Sequence, residues 1–262
     1  MLFSVVYYLL LILFLIVFAV FISVVWLLTV WWEPKRRIIA RTTYWHAAGV
    51  FVLCPRWRVK IEGKEHLEKG KNYVIVSNHQ AFYDIPLLHM LKFNARWVAK
   101  RELLRFPFVG HAMLIHGDIL LKRGDAASAK AMFTKAKREL ERGVSIVIFP
   151  EGTRTKTGRM GRFKEGAFLL ARQTGAEILP VVIEGTGSAF RDGWKPLCPH
   201  TFRIRVLPAI DRETVRNTSP REMAVRVHDR ILEEHRKMRP DLYDGTEDAG
   251  TVREKDDAER RK

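Results

Sequence analysis

The sequence predicts an α/β domain in which a sheet is covered by helices. Two short apolar runs rich in β-branched residues, Tyr73–Val76 and Val144–Phe149, each empty into a turn that carries polar side chains. Segments with apolar residues at helical spacing separate and follow such runs. An alternation of this kind is typical of a sheet covered by helices, with the reactive groups on the loops that follow the strands.

The first 33 residues form the most apolar segment of the chain. Met1–Trp32 contains no Lys, Arg, Asp or Glu, and about 20 apolar residues already cross the hydrocarbon core of a bilayer. The segment is too long for the apolar part of a signal peptide, and no small-residue cleavage site follows it. We therefore predict a single transmembrane anchor over residues 1–33, with the cations Lys35–Arg37 on the cytoplasmic side and the N-terminus outside. The alternative, which the length of the segment leaves open, is that Leu2–Trp32 bends and re-enters the same leaflet.

Residues 34–55 are predicted to form a second, shorter helix. This segment mixes Arg41 and His46 with apolar and aromatic residues. Because it is short and contains an arginine, we expect it to lie at the membrane interface and not to span the bilayer. An ordinary amphipathic helix packed on the domain explains the same pattern nearly as well.

Residues 56–240 alternate strands and helices, with no internal repeat and no dividing linker. The predicted strands are Arg58–Ile61, Tyr73–Ser77, Trp97–Ala99, Asp118–Leu121, Ser145–Phe149, Ile178–Ile183 and Thr201–Leu207. The predicted helices are Ile85–Lys92, Ala126–Arg142, Gly166–Thr174 and Pro220–Met238. The remaining segment, 241–262, has few apolar residues and many charges, which predicts a disordered tail.

The chain is strongly basic, with 45 Lys and Arg against 29 Asp and Glu and a formal net charge of +16. Such a surface favours anionic lipid headgroups, phosphorylated substrates or nucleic acid. No basic-aromatic stripe or nucleic-acid motif is present, so we expect no nucleic-acid partner. Cys54 and Cys198 do not lie at a paired or metal-binding spacing, which predicts reduced thiols.

His79 and Asp84 form the first candidate catalytic pair. His79 follows a predicted buried strand, and the five-residue separation lets the chain loop out and return. The carboxylate could then accept a hydrogen bond from one imidazole nitrogen and leave the other free to take a proton from a hydroxyl. A structural histidine and a helix N-cap aspartate would produce the same pattern.

The second candidate is the turn Pro150–Arg154, which follows another predicted strand. Gly152 and Thr153 suggest exposed backbone N–H groups, and Arg154 supplies a guanidinium fork that suits a phosphate. Glu151 cannot contact a phosphate favourably, so its expected task is to hold Arg154 or to accept a hydrogen bond from a ligand hydroxyl. An arginine paired with a surface carboxylate is the ordinary alternative.

Four ordered blocks of the sequence resemble the glycerolipid acyltransferase family, and most of all the bacterial 1-acyl-sn-glycerol-3-phosphate acyltransferases. The blocks are Asn78–Asp84, Lys100–Arg123, Phe149–Arg154 and Leu179–Ile183. The resemblance covers roughly residues 56–210, and four blocks in order are far more specific than one. Lys122 departs from the pattern, because many members carry an acidic residue there.

The resemblance implies a glycerol-3-phosphate-acyltransferase-like sheet, a two-helix N-terminal element that holds the domain against a membrane, and acyl transfer from a thioester to the sn-2 hydroxyl of 1-acyl-sn-glycerol 3-phosphate. In that reaction His79 would be the general base and Asp84 the group that orients it. The resemblance assigns Glu151, Arg154 and Arg123 to the glycerol-phosphate end of the acceptor. Lys100 would serve the phosphates of the donor, or would be merely solvated.

These implications define the expected partners: membrane lipids, a lysophospholipid substrate, and acyl-CoA or acyl-carrier protein as co-substrate. We expect no cofactor and no metal, since His79 and Asp84 alone are too few ligands for zinc. The absence of a G-x-S-x-G elbow argues against a serine hydrolase. The expected location is the cytoplasmic face of a bacterial inner membrane, and the sequence does not fix the oligomeric state.

Two alternatives stay open at this point. One is the same chemistry on another acceptor, namely glycerol 3-phosphate, a lysophospholipid or a lyso-aminolipid. The other, from a different class, is a membrane-anchored nucleic-acid-binding or scaffold protein that uses the basic surface.

Overall fold

A computed structural model describes residues 2–155, 157–189 and 198–243. Within these residues, helices lie on both faces of one seven-stranded sheet, which confirms the predicted fold class. The helices are α1 (Leu2–Thr29), α2 (Arg37–Val52), α3 (Asp84–His89), α4 (Val109–His116), α5 (Ala126–Glu141), α6 (Gly166–Thr174), α7 (Arg212–Asn217) and α8 (Pro220–Met238). The strands are β1 (Trp57–Glu62), β2 (Tyr73–Ser77), β3 (Ala95–Lys100), β4 (Ile119–Leu121), β5 (Ser145–Ile148), β6 (Glu177–Glu184) and β7 (His200–Val206).

The strand order across the sheet is β1-β7-β6-β2-β5-β3-β4. The five strands from β6 to β4 are parallel, whereas β7 pairs with β6 in the antiparallel sense and β1 runs parallel to β7. The carboxyl ends of β2, β5 and β6 therefore meet at one edge of the sheet, near its centre. In open α/β sheets this edge is where ligands bind.

The central strand β2 is buried on both faces because consecutive side chains point to opposite sides. Val74 and Val76 join the core formed with α5, α6, α7 and α8, whereas Tyr73 and Ile75 join the core formed with α2 and α3. All four side chains are fully buried. A continuous apolar run in the sequence corresponds here to a strand between two helical layers.

Each predicted strand and helix of residues 56–240 is present in the structure with boundaries shifted by a few residues at most. Two short helices, α4 and α7, were not predicted. α4 begins directly after a tight turn at Phe108, where φ is +63° and the Val109 N–H donates to the Pro107 carbonyl at 2.7 Å. A helix of eight residues after such a turn is too short for its periodicity to be recognised.

The prediction of a disordered tail is wrong for its first residues. A 3₁₀ turn spans Pro240–Leu242, and the Tyr243 hydroxyl lies 2.8 Å from Nδ1 of His235 on α8. These residues are held by side-chain contacts that their charged composition does not reveal. Residues 244–262 lie outside the described part of the chain.

Helix α1 includes Phe3–Thr29, which by length and composition is apolar enough to cross a membrane. Near its start, the ring of Tyr7 packs 5.4 Å from that of Trp57 on β1. Near its end, Oγ of Ser23 lies 2.7 Å from Nε2 of His111 on α4. About 24 Å of helix separates the two contacts, at 1.5 Å per residue. α1 therefore lies along the domain.

Helix α2 returns antiparallel to α1 and packs between it and the domain. A Cβ added to Gly49 would lie 2.3 Å from the ring of Phe14, so the two helices approach closely there. Ile39 and Val50 are buried, whereas Trp45 is 61% exposed. The predicted second helix is thus present, with one face on the domain and an aromatic side chain exposed on the other.

Candidate active site

His79 lies one residue beyond Asn78, which continues β2 after its backbone leaves the sheet. The Asn78 side chain accepts a hydrogen bond from the Ile183 N–H at 2.9 Å and donates to the Ile183 carbonyl at 2.8 Å. The oxygen and nitrogen of the side-chain amide thereby make the two hydrogen bonds that a neighbouring strand's backbone would make to β6. The chain is free to turn at His79 while its position at the edge of the sheet is held.

The structure brings together the two predicted catalytic residues. Nδ1 of His79 and Oδ2 of Asp84 are 2.7 Å apart. Since a carboxylate can only accept, Nδ1 bears the proton and Nε2 has the free lone pair. Among the described residues no hydrogen bond occupies Nε2, and the His79 side chain is 18% exposed. The imidazole is placed to take a proton from a ligand at the carboxyl edge of the sheet.

The carboxylate of Asp84 is fully buried and receives four donors. Oδ2 accepts from the backbone N–H of Gln80 at 2.6 Å and of Ala81 at 2.9 Å, in addition to the imidazole. Oδ1 accepts from the hydroxyl of Thr186. Backbone N–H groups can only donate, so both oxygens of the carboxylate serve as acceptors here. Asp84 does more than begin α3, because it closes the loop that carries His79.

The ring of Phe149 stacks on the imidazole of His79, with the centroids 4.0 Å apart and the planes 12° from parallel. Phe149 follows β5, the neighbour of β2. One face of the imidazole is therefore covered by Phe149. In the plane of the ring, Nδ1 points to Asp84 and Nε2 points away from it. Phe149, at the start of the third sequence block, thus contributes to the site through packing.

Glu151 is hydrogen-bonded to the main chain of two neighbouring loops. Its Oε1 accepts from the backbone N–H of His79 and its Oε2 from that of Gly161, both at 2.8 Å. Both oxygens thus bind main chain, and the expected contact with Arg154 or a ligand hydroxyl stays a prediction. Burial raises the pKa of Glu151, and the two N–H groups oppose that shift. The side chain ties the turn after β5 to the loop of His79.

The turn Gly152–Arg154 differs in one respect from the predicted phosphate cradle. Gly152 has φ +72°, and its N–H donates to the Phe149 carbonyl at 3.0 Å, so this N–H is not free for a ligand. Thr153 and Arg154 are exposed. A cation that the sequence analysis missed, Lys164, lies over the turn: its Nζ would be 3.1 Å from a Cβ built on Gly152.

Lys100 and Arg123 are exposed at the same edge of the sheet, because each follows or ends a strand parallel to β2. Lys100 ends β3, and Arg123 comes after β4. Partial burial lowers the pKa of the Arg123 guanidinium, and the nearby Glu102 carboxylate opposes the shift. The predicted cations thus share one edge with His79.

Sequence reasoning missed a buried polar network behind the loop. Nε2 of Gln80 donates to Oε2 of Glu184 at 2.6 Å, and Nε2 of His235 lies 2.8 Å from the same oxygen. Nη1 of Arg239 donates to Oε1 of Glu184 at 2.7 Å. Burial acts to raise the pKa of Glu184, but these hydrogen bonds outweigh it and lower the pKa to about 2. Only the fold joins these residues, since α8 lies far from Gln80 in the sequence.

Among the described residues, no group of three or more His, Cys, Asp or Glu side chains is arranged to hold a metal ion. Both cysteines are free, with Cys54 buried and Cys198 exposed.

Residues 58–184 match the profile of the acyltransferase family. These residues form an acyltransferase-family domain. A chloroplastic 1-acyl-sn-glycerol-3-phosphate acyltransferase of Arabidopsis thaliana is 35% identical over 180 residues, which cover 67% of this chain and 49% of the relative. A 1-acyl-sn-glycerol-3-phosphate acyltransferase of Borreliella burgdorferi is 38% identical over 135 residues, which cover 51% of this chain and 54% of that protein. The chain spans about half the length of these curated relatives.

The fold of this acyltransferase resembles a solved structure over nearly its full length. The crystal structure of the 1-acyl-sn-glycerophosphate acyltransferase PlsC from Thermotoga maritima superimposes with a TM-score of 0.77, at 24% identity, over 91% of this chain and 95% of that one. The likeness includes helices on both sides of the sheet, and so confirms the architecture.

Replacement of Glu151 by Gln tests the tie between the two loops. A glutamine offers one acceptor and one donor, so the N–H of either His79 or Gly161 would face an NH₂ group. We expect Glu151→Gln to lower the free energy of unfolding by about 1–3 kcal/mol and to reduce acyl transfer. Chemical denaturation and turnover measure the two effects.

The matched control is Glu165→Gln, which changes an exposed carboxylate at the start of α6. It should leave both quantities near those of the wild type. Unchanged stability and turnover in Glu151→Gln would refute the assignment of Glu151 as the tie.

Proposed function

We propose that this acyltransferase moves a fatty acyl group from an acyl thioester, either acyl-CoA or acyl-carrier protein, to the sn-2 hydroxyl of 1-acyl-sn-glycerol 3-phosphate and so forms phosphatidate. The observation that carries the proposal is the His79–Asp84 pair at the carboxyl edge of the sheet, with Nε2 free. The curated relatives named for this reaction support the choice of acceptor.

His79 acts as general base on the acceptor hydroxyl. Nε2 takes the proton as the hydroxyl oxygen attacks the thioester carbonyl, and the imidazolium that forms is stabilised by the ionised Asp84 at 2.7 Å. The tetrahedral intermediate then collapses, the C–S bond breaks, and the proton on Nε2 passes to the leaving sulfur. The products are the ester and the free thiol, and no covalent enzyme intermediate forms.

The acceptor's phosphate binds to the exposed cations at the same edge. Arg154 offers a bidentate fork, and Arg123 and Lys164 add charge at neighbouring loops. Thr153 adds a hydroxyl on the exposed part of the turn. Lys100 serves the phosphates of the donor. With its phosphate on the loops, the acceptor has its reacting hydroxyl at His79. The donor, bound through Lys100, is then held beside it, so that the two reactants stay together.

We further propose that α1 and α2 embed in one leaflet while the domain stays on the cytoplasmic side of a bacterial inner membrane. Exposed apolar side chains run along α1, whose two ends both contact the domain. The net charge of +16 draws the domain to anionic headgroups. This arrangement replaces the single span with an external N-terminus, because a helix with both ends on one domain does not cross away from it.

Replacement of His79 by Ala removes the proposed base. We expect acyl transfer to fall by about 10²–10⁴-fold, while folding and membrane binding are retained. The assay uses membranes with radiolabelled acyl thioester and a panel of 1-acyl-sn-glycerol 3-phosphate, glycerol 3-phosphate and lysophospholipids.

His66→Ala is the matched control, since His66 precedes β2 and so lies toward the opposite edge of the sheet. It should leave activity unchanged. Near-normal turnover in a folded His79→Ala protein would refute the base assignment. Transfer by the wild type to an acceptor other than 1-acyl-sn-glycerol 3-phosphate would refute the proposed acceptor, and no transfer to any would favour a non-enzymatic, scaffold role.

Arg154→Ala tests phosphate binding. We expect KM for the phosphorylated acceptor to rise far more than KM for the thioester, because the guanidinium meets only the acceptor. Arg154→Lys should give an intermediate effect, since it keeps the charge but loses the fork. Steady-state kinetics with each substrate varied in turn provide the measurement.

Arg172→Ala, at an exposed position near the end of α6, controls for the loss of one positive charge. Equal increases of both KM values in Arg154→Ala would indicate a structural role for Arg154.

The proposed topology is tested with a protease-cleavable tag at Met1 and, separately, at Lys262. In sealed inner-membrane vesicles of known orientation we expect both tags to be cleaved from the cytoplasmic side, because α1 enters and leaves the same leaflet. Cleavage of the Met1 tag only from the periplasmic side would restore the single span.

A further inference from the structure

Thr186 lies behind the His79–Asp84 pair, on the turn that follows β6. It is fully buried, and its hydroxyl donates to Oδ1 of Asp84. The imidazole of His79 uses the other oxygen, Oδ2. The two oxygens of the carboxylate are therefore held by different partners, one facing the ligand side of the site and one facing the core.

The turn that carries Thr186 is fixed by its backbone. Gly185 has φ +101°, and a Cβ there would lie 2.8 Å from the Thr201 carbonyl on β7, so the backbone approaches β7 more closely than a side chain allows. The Gly185 carbonyl lies 3.1 Å from the Ala189 N–H and 2.7 Å from Nε2 of His200. The position of the Thr186 hydroxyl is thus set by the sheet and not by Asp84.

A second acceptor competes for the same hydroxyl. Oε1 of Gln80 lies 3.2 Å from Oγ1 of Thr186 and also accepts from the Gly187 N–H at 3.4 Å. The amide of Gln80 cannot turn over, because its Nε2 donates to the carboxylate of Glu184 at 2.6 Å. A hydroxyl has one proton to donate, and the ionised oxygen of Asp84 is the stronger acceptor.

We propose that Thr186 is a positioning residue for the general base: its hydroxyl fixes the rotation of the Asp84 carboxylate, and so the direction in which Nε2 of His79 points. The inference rests on the proposed function and deepens it. Without the hydroxyl, Oδ1 loses its side-chain donor in a fully buried place, and rotation about the Cβ–Cγ bond is opposed only by the donors on Oδ2. The imidazole then loses a fixed partner while the acceptor and donor sites stay intact.

The test compares Thr186→Val, which keeps the shape and removes the hydroxyl, with Thr186→Ser, which keeps the hydroxyl. The full-length proteins are measured in detergent for unfolding temperature, kcat and both KM values. A third readout needs no substrate: the NMR resonance of the Nδ1 proton of His79, assigned by its loss in His79→Gln. Hydrogen bonds to ionised groups predict a fall in kcat of about ten- to a hundredfold in Thr186→Val.

Support for the proposal is a lower kcat with unchanged KM values in Thr186→Val, a displaced Nδ1 proton resonance, and recovery of both in Thr186→Ser. Wild-type kcat and resonance in Thr186→Val would overturn it, and so would equal losses in both variants, which would implicate the turn and not the hydroxyl. If the wild type transfers no acyl group, the proposed function fails, and the resonance comparison still decides whether Thr186 positions the pair.

Discussion

A carboxylate that is fully buried needs donors for both of its oxygens, and Asp84 obtains them from two parts of the chain, the loop 79–81 and the turn at Thr186. Two come from the backbone at Gln80 and Ala81, one from the imidazole of His79, and one from the hydroxyl of Thr186. Leaving such a group unsatisfied costs more than a typical hydrogen bond contributes. The loop after β2 is therefore folded around the charge of Asp84, and the exposed nitrogen of His79 is a consequence of that closure.

Two more buried carboxylates extend the same principle to the neighbouring strands. Glu151, after β5, holds the main chain of His79 and Gly161, and Glu184, at the end of β6, holds Gln80, His235 and Arg239. β6, β2 and β5 are adjacent in the sheet, so each strand ends in an anion that fixes its neighbour's loop. The positive charges that face solvent at this edge remain available to a phosphate because the anions are turned inward and already satisfied.

The apolar helix α1 packs partly on the protein and is partly exposed. α1 is apolar on all sides, yet only part of it packs on α2 and α4, and much of the rest is exposed. An exposed apolar face of this size is unfavourable in water, whereas in lipid it is not. Since the domain contacts α1 near both ends, the exposed apolar side of α1 and the carboxyl edge of the sheet belong to a single arrangement, which suits the lipid acceptor that we propose.

The sequence alone was enough to predict the α/β alternation, the apolar helix and the pair His79 and Asp84, because these depend on local patterns: buried β-branched runs, helical spacing and two polar residues five positions apart.

The sequence did not predict α4, since a helix of eight residues carries too little periodicity. It also did not predict the order of residues 241–243, which comes from the contact between Tyr243 and His235. It did not predict that Glu151 binds the main chain of His79 and Gly161. These features, and the role of Thr186, were missed for the same reason. Which donor meets which buried acceptor is decided by strand order and by the antiparallel return of β7, which bring together residues about a hundred positions apart. Local sequence specifies the groups that need partners, and only the tertiary structure determines which partners they find.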